Sequence, residues 1–150
     1  MRVVIQRVSK ASVSIANEKI SEIGKGLLIL AGFEAEDDEA DLEWMAGKIV
    51  SMRIFGDDSG KMNLSVLEIN GEIMIISQFT LHAMTQKGNR PSFIRAAKPE
   101  IAIPLYEKFI QIIENKNVNP IKTGVFGSDM KVELVNDGPV TIFIDSKKRE

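Results

Sequence analysis

The sequence predicts an α+β (mixed α/β) fold: a mainly antiparallel sheet or half-barrel with two main helices. Three observations carry this. Short apolar runs of period two occupy both ends of the chain, as in Ala11-Ser12-Val13-Ser14-Ile15 and Val140-Thr141-Ile142-Phe143-Ile144. Apolar residues recur at helical spacing in only two segments. Turn formers separate neighbouring apolar runs, which favours hairpins over long crossovers.

Residues 1–8 read as a strand, with Val3 and Ile5 alternating against Arg2 and Gln6. A second strand covers 11–15, and a tight turn at Asn17-Glu18-Lys19 leads into a short returning strand, 20–23. The run Gly26 to Phe33 is apolar without alternation, as expected of a strand buried on both faces. An acidic stretch then opens a helix over 38–52. Asp37 or Asp38 caps it, and Leu42, Met45, Ala46, Ile49 and Val50 form its inward stripe. A short strand at 65–69, a hairpin turn at Asn70-Gly71 and a long strand at 72–79 follow. The loop from His82 to Lys98 is too long for a simple connection. Pro99 or Pro104 starts the second helix, whose stripe is Leu105, Phe109, Ile112 and Ile113, and Asn115 to Asn119 stops it. Strands at 130–135 and 140–144 close the chain, joined by a turn at Gly138-Pro139. The count is about seven strands in one domain, 1–150, which is a size that supports a real core.

Composition bounds the function. Hydrophobic residues make up 44% and charged residues 27%, ordinary for a globular protein and unlike a disordered one. There is no cysteine, which removes thiol nucleophiles, disulfides and cysteine zinc sites and suits a reducing compartment. No apolar run approaches the roughly 20 residues of a membrane span, so a cytoplasmic protein without a membrane partner is expected. A net charge of −2 argues against gripping a long duplex. Charge is uneven, however: the stretch 34–43 holds seven acids and no base, whereas Lys87, Arg90, Arg95 and Lys98 form a basic loop. That loop is either a solvated surface or a contact for a few phosphates.

Gly56-Asp57-Asp58-Ser59-Gly60-Lys61 has the look of a phosphate loop but fails as one. Its glycine spacing is one residue short, Met62 stands where a hydroxyl should hold magnesium, and two aspartates would repel phosphate. His82 is the only histidine and lies two residues beyond Thr80; a lone histidine at a strand end reads first as a surface or interface residue. With one histidine and no cysteine, no metal or cofactor is expected. Chemistry would rest on positioning, backbone donors and hydroxyls. Two motifs offer these: Ser77-Gln78-Phe79-Thr80-Leu81 after an apolar strand, and Asn136-Asp137-Gly138-Pro139-Val140-Thr141 between two others.

These two motifs, with Met1-Arg2-Val3-Val4-Ile5-Gln6-Arg7-Val8, Gly60-Lys61-Met62-Asn63-Leu64-Ser65 and Lys87-Gly88-Asn89-Arg90-Pro91-Ser92-Phe93, make the whole chain resemble the bacterial-type D-aminoacyl-tRNA deacylases. The resemblance implies a homodimer that hydrolyses the ester between a D-amino acid and the 3′-terminal adenosine of tRNA, and extends to glycine mischarged on tRNA. It implies that Ser77, Gln78 and Phe79 shape the floor of the site, with backbone donors near Phe79 and Thr80. Thr80 is the first residue to nominate as nucleophile, although no base stands beside it and the ribose 2′-hydroxyl could serve instead. Phe126 and Met130 would line the adenosine side. Gly138 and Pro139 would be cis and would enter the partner's pocket to read the α-amino group and reject L-residues. Arg7 would buttress that loop and Asn136 would fix its backbone. The alternative is a non-enzymatic, nucleic-acid-associated dimer that binds adenosine or an amino acid in the same pocket.

Overall fold

The computed structural model describes residues 1–116 and 119–150. In chain order the elements are β1 (Arg2–Ile15), β2 (Glu18–Ile23), β3 (Gly26–Gly32), α1 (Glu39–Ser51), β4 (Phe55–Gly56), β5 (Met62–Leu64), β6 (Glu72–Ser77), a 3-10 turn (Phe79–His82), α2 (Pro99–Glu114), β7 (Lys122–Thr123) and β8 (Lys131–Asp145). The main sheet runs β2-β1-β3-β6-β7, and β8 lies along β1. It is mostly antiparallel and nearly barrel-like, with parallel pairing confined to β3–β6 and β6–β7.

β1 is one strand where the sequence reads two. Its buried set is Val3 and Ile5, then Val8, then Ala11 and Val13, so the inward parity changes twice. The register against β8 shifts at the same places, between Gln6 and Val8 and between Val8 and Lys10. Bulges absorb the change of face without ending the strand. Ala16 and Asn17, at φ 48° and 66°, make the two-residue turn into β2, one position earlier than the sequence suggests.

β3 and β6 are the apolar centre. Both helices pack on one face of them, with Leu42, Met45 and Ile49 of α1 and Phe109, Ile112 and Ile113 of α2 meeting Leu27, Ile29, Ile73 and Ile75. The other face holds Leu28, Met74 and Ile76 against Val8, Val13 and Ile23. Gly26 is required where β3 begins, because a Cβ there would collide with the backbone of Glu72. Asp38 caps α1 by accepting from the Asp41 N–H at 3.0 Å, and Asp41 reaches back to the Asp38 N–H. Pro99 occupies the first turn of α2. The Tyr106 hydroxyl donates to the Ile75 carbonyl at 2.7 Å, tying α2 to β6; burial pushes this phenol upward. Helix α2 ends at Glu114, with Asn115 as its cap; of the 115–119 stop expected from sequence, 117 and 118 lie outside the described residues.

Four expectations are corrected. Residues 65–69 form a turn rather than a strand: the Ser65 N–H and hydroxyl both donate to the Glu68 carboxylate at 2.7 Å, which diverts this backbone from a ladder. The strand lies earlier, at β5, paired with β4, so Asn70-Gly71 closes no hairpin. β6 ends at Ser77, and Phe79 opens the 3-10 turn. Finally, Gly138-Pro139 is not a hairpin turn. Both halves of β8 pair with β1 in one direction, and the Gly-Pro step bulges out between them, with 136 to 141 lying opposite only Gln6 to Val8.

Candidate active site

The parallel pairing of β3 and β6 ends both strands at one place. Ala31 lies opposite Ser77, and the Gln78 N–H donates to the Ala31 carbonyl at 2.7 Å. The chain then turns sharply through the 3-10 segment, where the Leu81 N–H reaches the Gln78 carbonyl at 3.3 Å. Gly32 makes the turn possible. A Cβ there would lie 2.6 Å from the Gln78 carbonyl oxygen and 3.1 Å from His82 Cδ2.

A cavity of about 560 Å³ opens at these strand ends. Gly32, Ser77, Gln78 and Phe79 form one side, Phe126 and Met130 another, and Phe93 with the start of α2 a third. The Phe79 ring is 55% exposed and meets Phe93 edge-on, with centroids 5.1 Å apart. Phe126 is held by Tyr106, at 5.9 Å between centroids. Gly124 leaves room for the Met130 thioether, which any Cβ at 124 would strike. The site is thus a largely apolar slot, floored by main chain and open at the strand ends, a shape suited to a flat ring and a small polar group.

Thr80 does not line this cavity. Its hydroxyl accepts from the Gln78 side-chain amide at 2.6 Å. His82 is fully buried rather than at a surface; its Nδ1 lies 3.2 Å from Glu34 Oε1. It stands behind the turn, and no base is thereby supplied to Thr80. Glu34 Oε1 also takes Arg95 Nη2 at 2.8 Å, so one member of the basic loop is paired. Lys87, Arg90 and Lys98 are exposed. Among the described residues, no group of three or more His, Asp or Glu side chains is placed to hold a metal.

The second motif gathers elsewhere. The Gly138–Pro139 peptide is cis, and both residues are exposed. Arg7 donates through Nε to the Asp137 carbonyl at 2.9 Å and through Nη1 to the Ile54 carbonyl at 2.6 Å. Asn136 Oδ1 accepts from the Val140 N–H at 3.0 Å, while its Nδ2 donates to Gln6 Oε1 at 2.7 Å and to Thr141 Oγ1 at 2.8 Å. Two clusters result within one protomer. Ser77, Gln78, Phe79, Phe126 and Met130 share the cavity; Arg7, Asn136, Gly138 and Pro139 share the β8 bulge and do not line it.

Sequence reasoning missed Gly32, Phe93 and the Glu34–His82–Arg95 cluster. Gly32 carried a signal, a glycine ending a doubly buried strand just before an acidic run. Phe93 and the cluster depend on how the 83–98 loop folds back, which no local pattern encodes.

Among the described residues, no helix is long and apolar enough to cross a membrane. Over its full length the chain is 57% identical to a D-aminoacyl-tRNA deacylase of Flavobacterium johnsoniae and 59% identical to one of Bacteroides thetaiotaomicron, each covered completely. Among solved structures it resembles a c-Myc DNA unwinding element binding protein, with a TM-score of 0.92 and 42% identity over 97% of this chain and 98% of that one. It shares its fold with a probable eukaryotic D-amino acid tRNA deacylase, with a TM-score of 0.76 and 18% identity over 95% of this chain and 97% of that one. The family model described as D-Tyr-tRNA(Tyr) deacylase matches residues 4–145, and the chain belongs to that family.

Proposed function

We propose that this protein is a tRNA-editing esterase of the cytoplasm. It hydrolyses the ester of D-aminoacyl-tRNA, and of glycine mischarged on tRNA, to free amino acid and tRNA. The observation that carries the reading is the cavity at the ends of β3 and β6, in a chain this similar to named deacylases over its whole length. The terminal adenosine stacks on the Phe126–Met130 side. The ester carbonyl lies over the turn, where the N–H groups of Phe79 and Thr80 polarise it and take up the developing negative charge. Water attacks the carbonyl carbon, and the C–O bond to the ribose breaks. The leaving oxygen takes a proton, with the neighbouring ribose 2′-hydroxyl assisting.

The working unit is a homodimer. The one carboxylate that lines the cavity of a single copy, Asp129, is exposed and paired with Lys131 at 3.0 Å, which leaves it poorly fitted to an α-ammonium. The Gly138–Pro139 segment, by contrast, stands exposed and braced by Arg7 and Asn136. From a second copy, its main-chain carbonyls accept the substrate's α-ammonium. An L side chain is driven into that backbone; a D side chain points away, and glycine has none. Lys87 and Arg90 contact phosphates near the acceptor end, a small contact that suits a net charge of −2.

The test is incubation of the purified protein with D-Tyr-tRNA and L-Tyr-tRNA in the presence of chelator. Cleavage of the D-ester alone is expected. Equal rates for the two esters would remove the chiral mechanism. The second reading is a nucleic-acid-associated dimer without hydrolysis; one observation favours its nucleic-acid part, a structural relative described as a c-Myc DNA unwinding element binding protein. Tight binding of both tRNAs with cleavage of neither would support it.

A further inference from the structure

We propose that His82 is a positioning residue for the editing reaction: its neutral imidazole holds the turn that carries Phe79 and Thr80, and protonation releases it. The inference rests on the esterase reading above. His82 is the last residue of that turn, and its ring is wholly buried against Gly32, which itself lines the cavity. Movement of the ring therefore moves the turn or the end of β3.

Both ring nitrogens are buried without a hydrogen-bond partner among the described residues. Nδ1 lies 3.2 Å from Glu34 Oε1, off the line of a hydrogen bond, and Nε2 has no partner among the described residues. A second ring proton would be a buried donor without an acceptor, which destabilises this packing. The charges nearby give little relief. Among the described residues, Glu34, just beyond β3, is the one carboxylate within ion-pair reach of the ring, and the same oxygen is already taken by Arg95 from the loop. Arg2 of β1 donates to the Leu81 carbonyl at 3.1 Å, one residue away, and its own carboxylate partner is Asp145 of β8 at 2.8 Å. The ring's acidic neighbour is thus shared with Arg95, while Arg2 is held by Asp145 and the Leu81 carbonyl. Histidine is the side chain whose charge ordinarily changes between about pH 5 and 8, which sets the range over which the proposal is tested.

Because His82 is the only histidine, its ring signals in an NMR spectrum are unambiguous. The experiment titrates the wild-type protein from pH 8 to 5.5 (about the range in which imidazole ionises), following the imidazole together with the Phe79 and Thr80 amides. In parallel, kcat and KM for D-Tyr-tRNA are measured over the same range. The amides are expected to shift with the imidazole's own midpoint. kcat, rather than KM, is expected to fall below it by about tenfold per pH unit, since only the neutral form holds the turn. His82→Gln, with no titrating proton, is expected to lose that acid limb and to keep both amides flat. Amides indifferent to the imidazole, or an acid limb retained in His82→Gln, would overturn the proposal. If the variant does not fold, the wild-type titration alone decides. A protein that cleaves no D-ester at any pH would refute the esterase reading, while the amide titration would still judge His82.

Discussion

Gly32→Ala tests the claim that the turn is set by backbone contact at the end of β3. The added Cβ would sit 2.6 Å from the Gln78 carbonyl oxygen, where ordinary contact begins at 3.4 Å, so the turn must withdraw by about 0.8 Å. His82 Cδ2 at 3.1 Å and Leu81 Cβ at 3.3 Å block the sideways escape. Overpacking of this kind costs about 1–3 kcal/mol, which at this chain length lowers Tm by about 2–4 °C per kcal/mol. The effect on rate should exceed the effect on stability, because a misplacement of about 1 Å can cost about 10²-fold in catalysis. kcat for D-Tyr-tRNA is therefore expected to fall by about 10–100-fold in a protein that still melts cooperatively, measured by single-turnover deacylation beside thermal denaturation. A variant with wild-type kcat and an unchanged Tm would refute the reasoning, since the turn would then have room that the structure denies it.

Other outcomes follow from named contacts. Gly47→Ala, mid-helix in α1 with nothing within 4 Å of the added methyl, should stabilise the fold by about 0.5–1 kcal/mol; a lower Tm would contradict the open space there. Thr80→Ala removes one hydrogen bond to Gln78, worth about 1 kcal/mol, so kcat should stay within about tenfold of wild type; loss to background would make Thr80 the nucleophile. Arg7→Met removes two donors that brace the Gly-Pro bulge and should weaken D-ester cleavage while sparing most of the stability; unchanged activity on the D-ester would dismiss the brace. Asp57 is held down to about pKa 2 by Asn63, Ser59 and the Lys61 N–H. Its folded value lies below the ordinary 3.8, so its stabilising contribution is whole above that value and fades as pH falls towards 2. A carboxyl NMR titration with a midpoint near 3.8 would dispose of this.

Much of the architecture is legible in residue patterns. The doubly apolar run at 26–33 does become the buried β3, and the spacing of Leu42, Met45 and Ile49 does give α1 within a residue at each end. The errors share a cause, turn chemistry read as chain reversal. Gly138-Pro139 and Asn70-Gly71 are good turn formers, yet reversal also requires that the flanking runs pair with each other. Residues 131–136 and 141–145 both pair with β1 instead, and Ser65 is claimed by Glu68. Parity in β1 was readable too: the alternation set by Val3 and Ile5 fails at Val8, which sequence alone takes as an end and the sheet accommodates as a bulge. For the site, Ser77, Gln78, Phe79, Phe126 and Met130 are legible from motif and resemblance, whereas Gly32 and Phe93, which line the same cavity, are not. The separation of the cavity from the Gly-Pro bulge is not legible either, because distances between strand ends and a bulge on another strand are set by sheet order.

The side-by-side ending of β3 and β6 has a consequence for how such a protein can diversify. Ala31 and Ser77 are neighbours across a fixed ladder, although the chain between them includes a whole helix and a small hairpin. Lengthening or shortening that excursion leaves the ladder in step. New preferences for bulky or charged cargo would therefore arise by rewriting the coverings of the slot, at 83–98 and 124–130, while the rails beneath stay as they are.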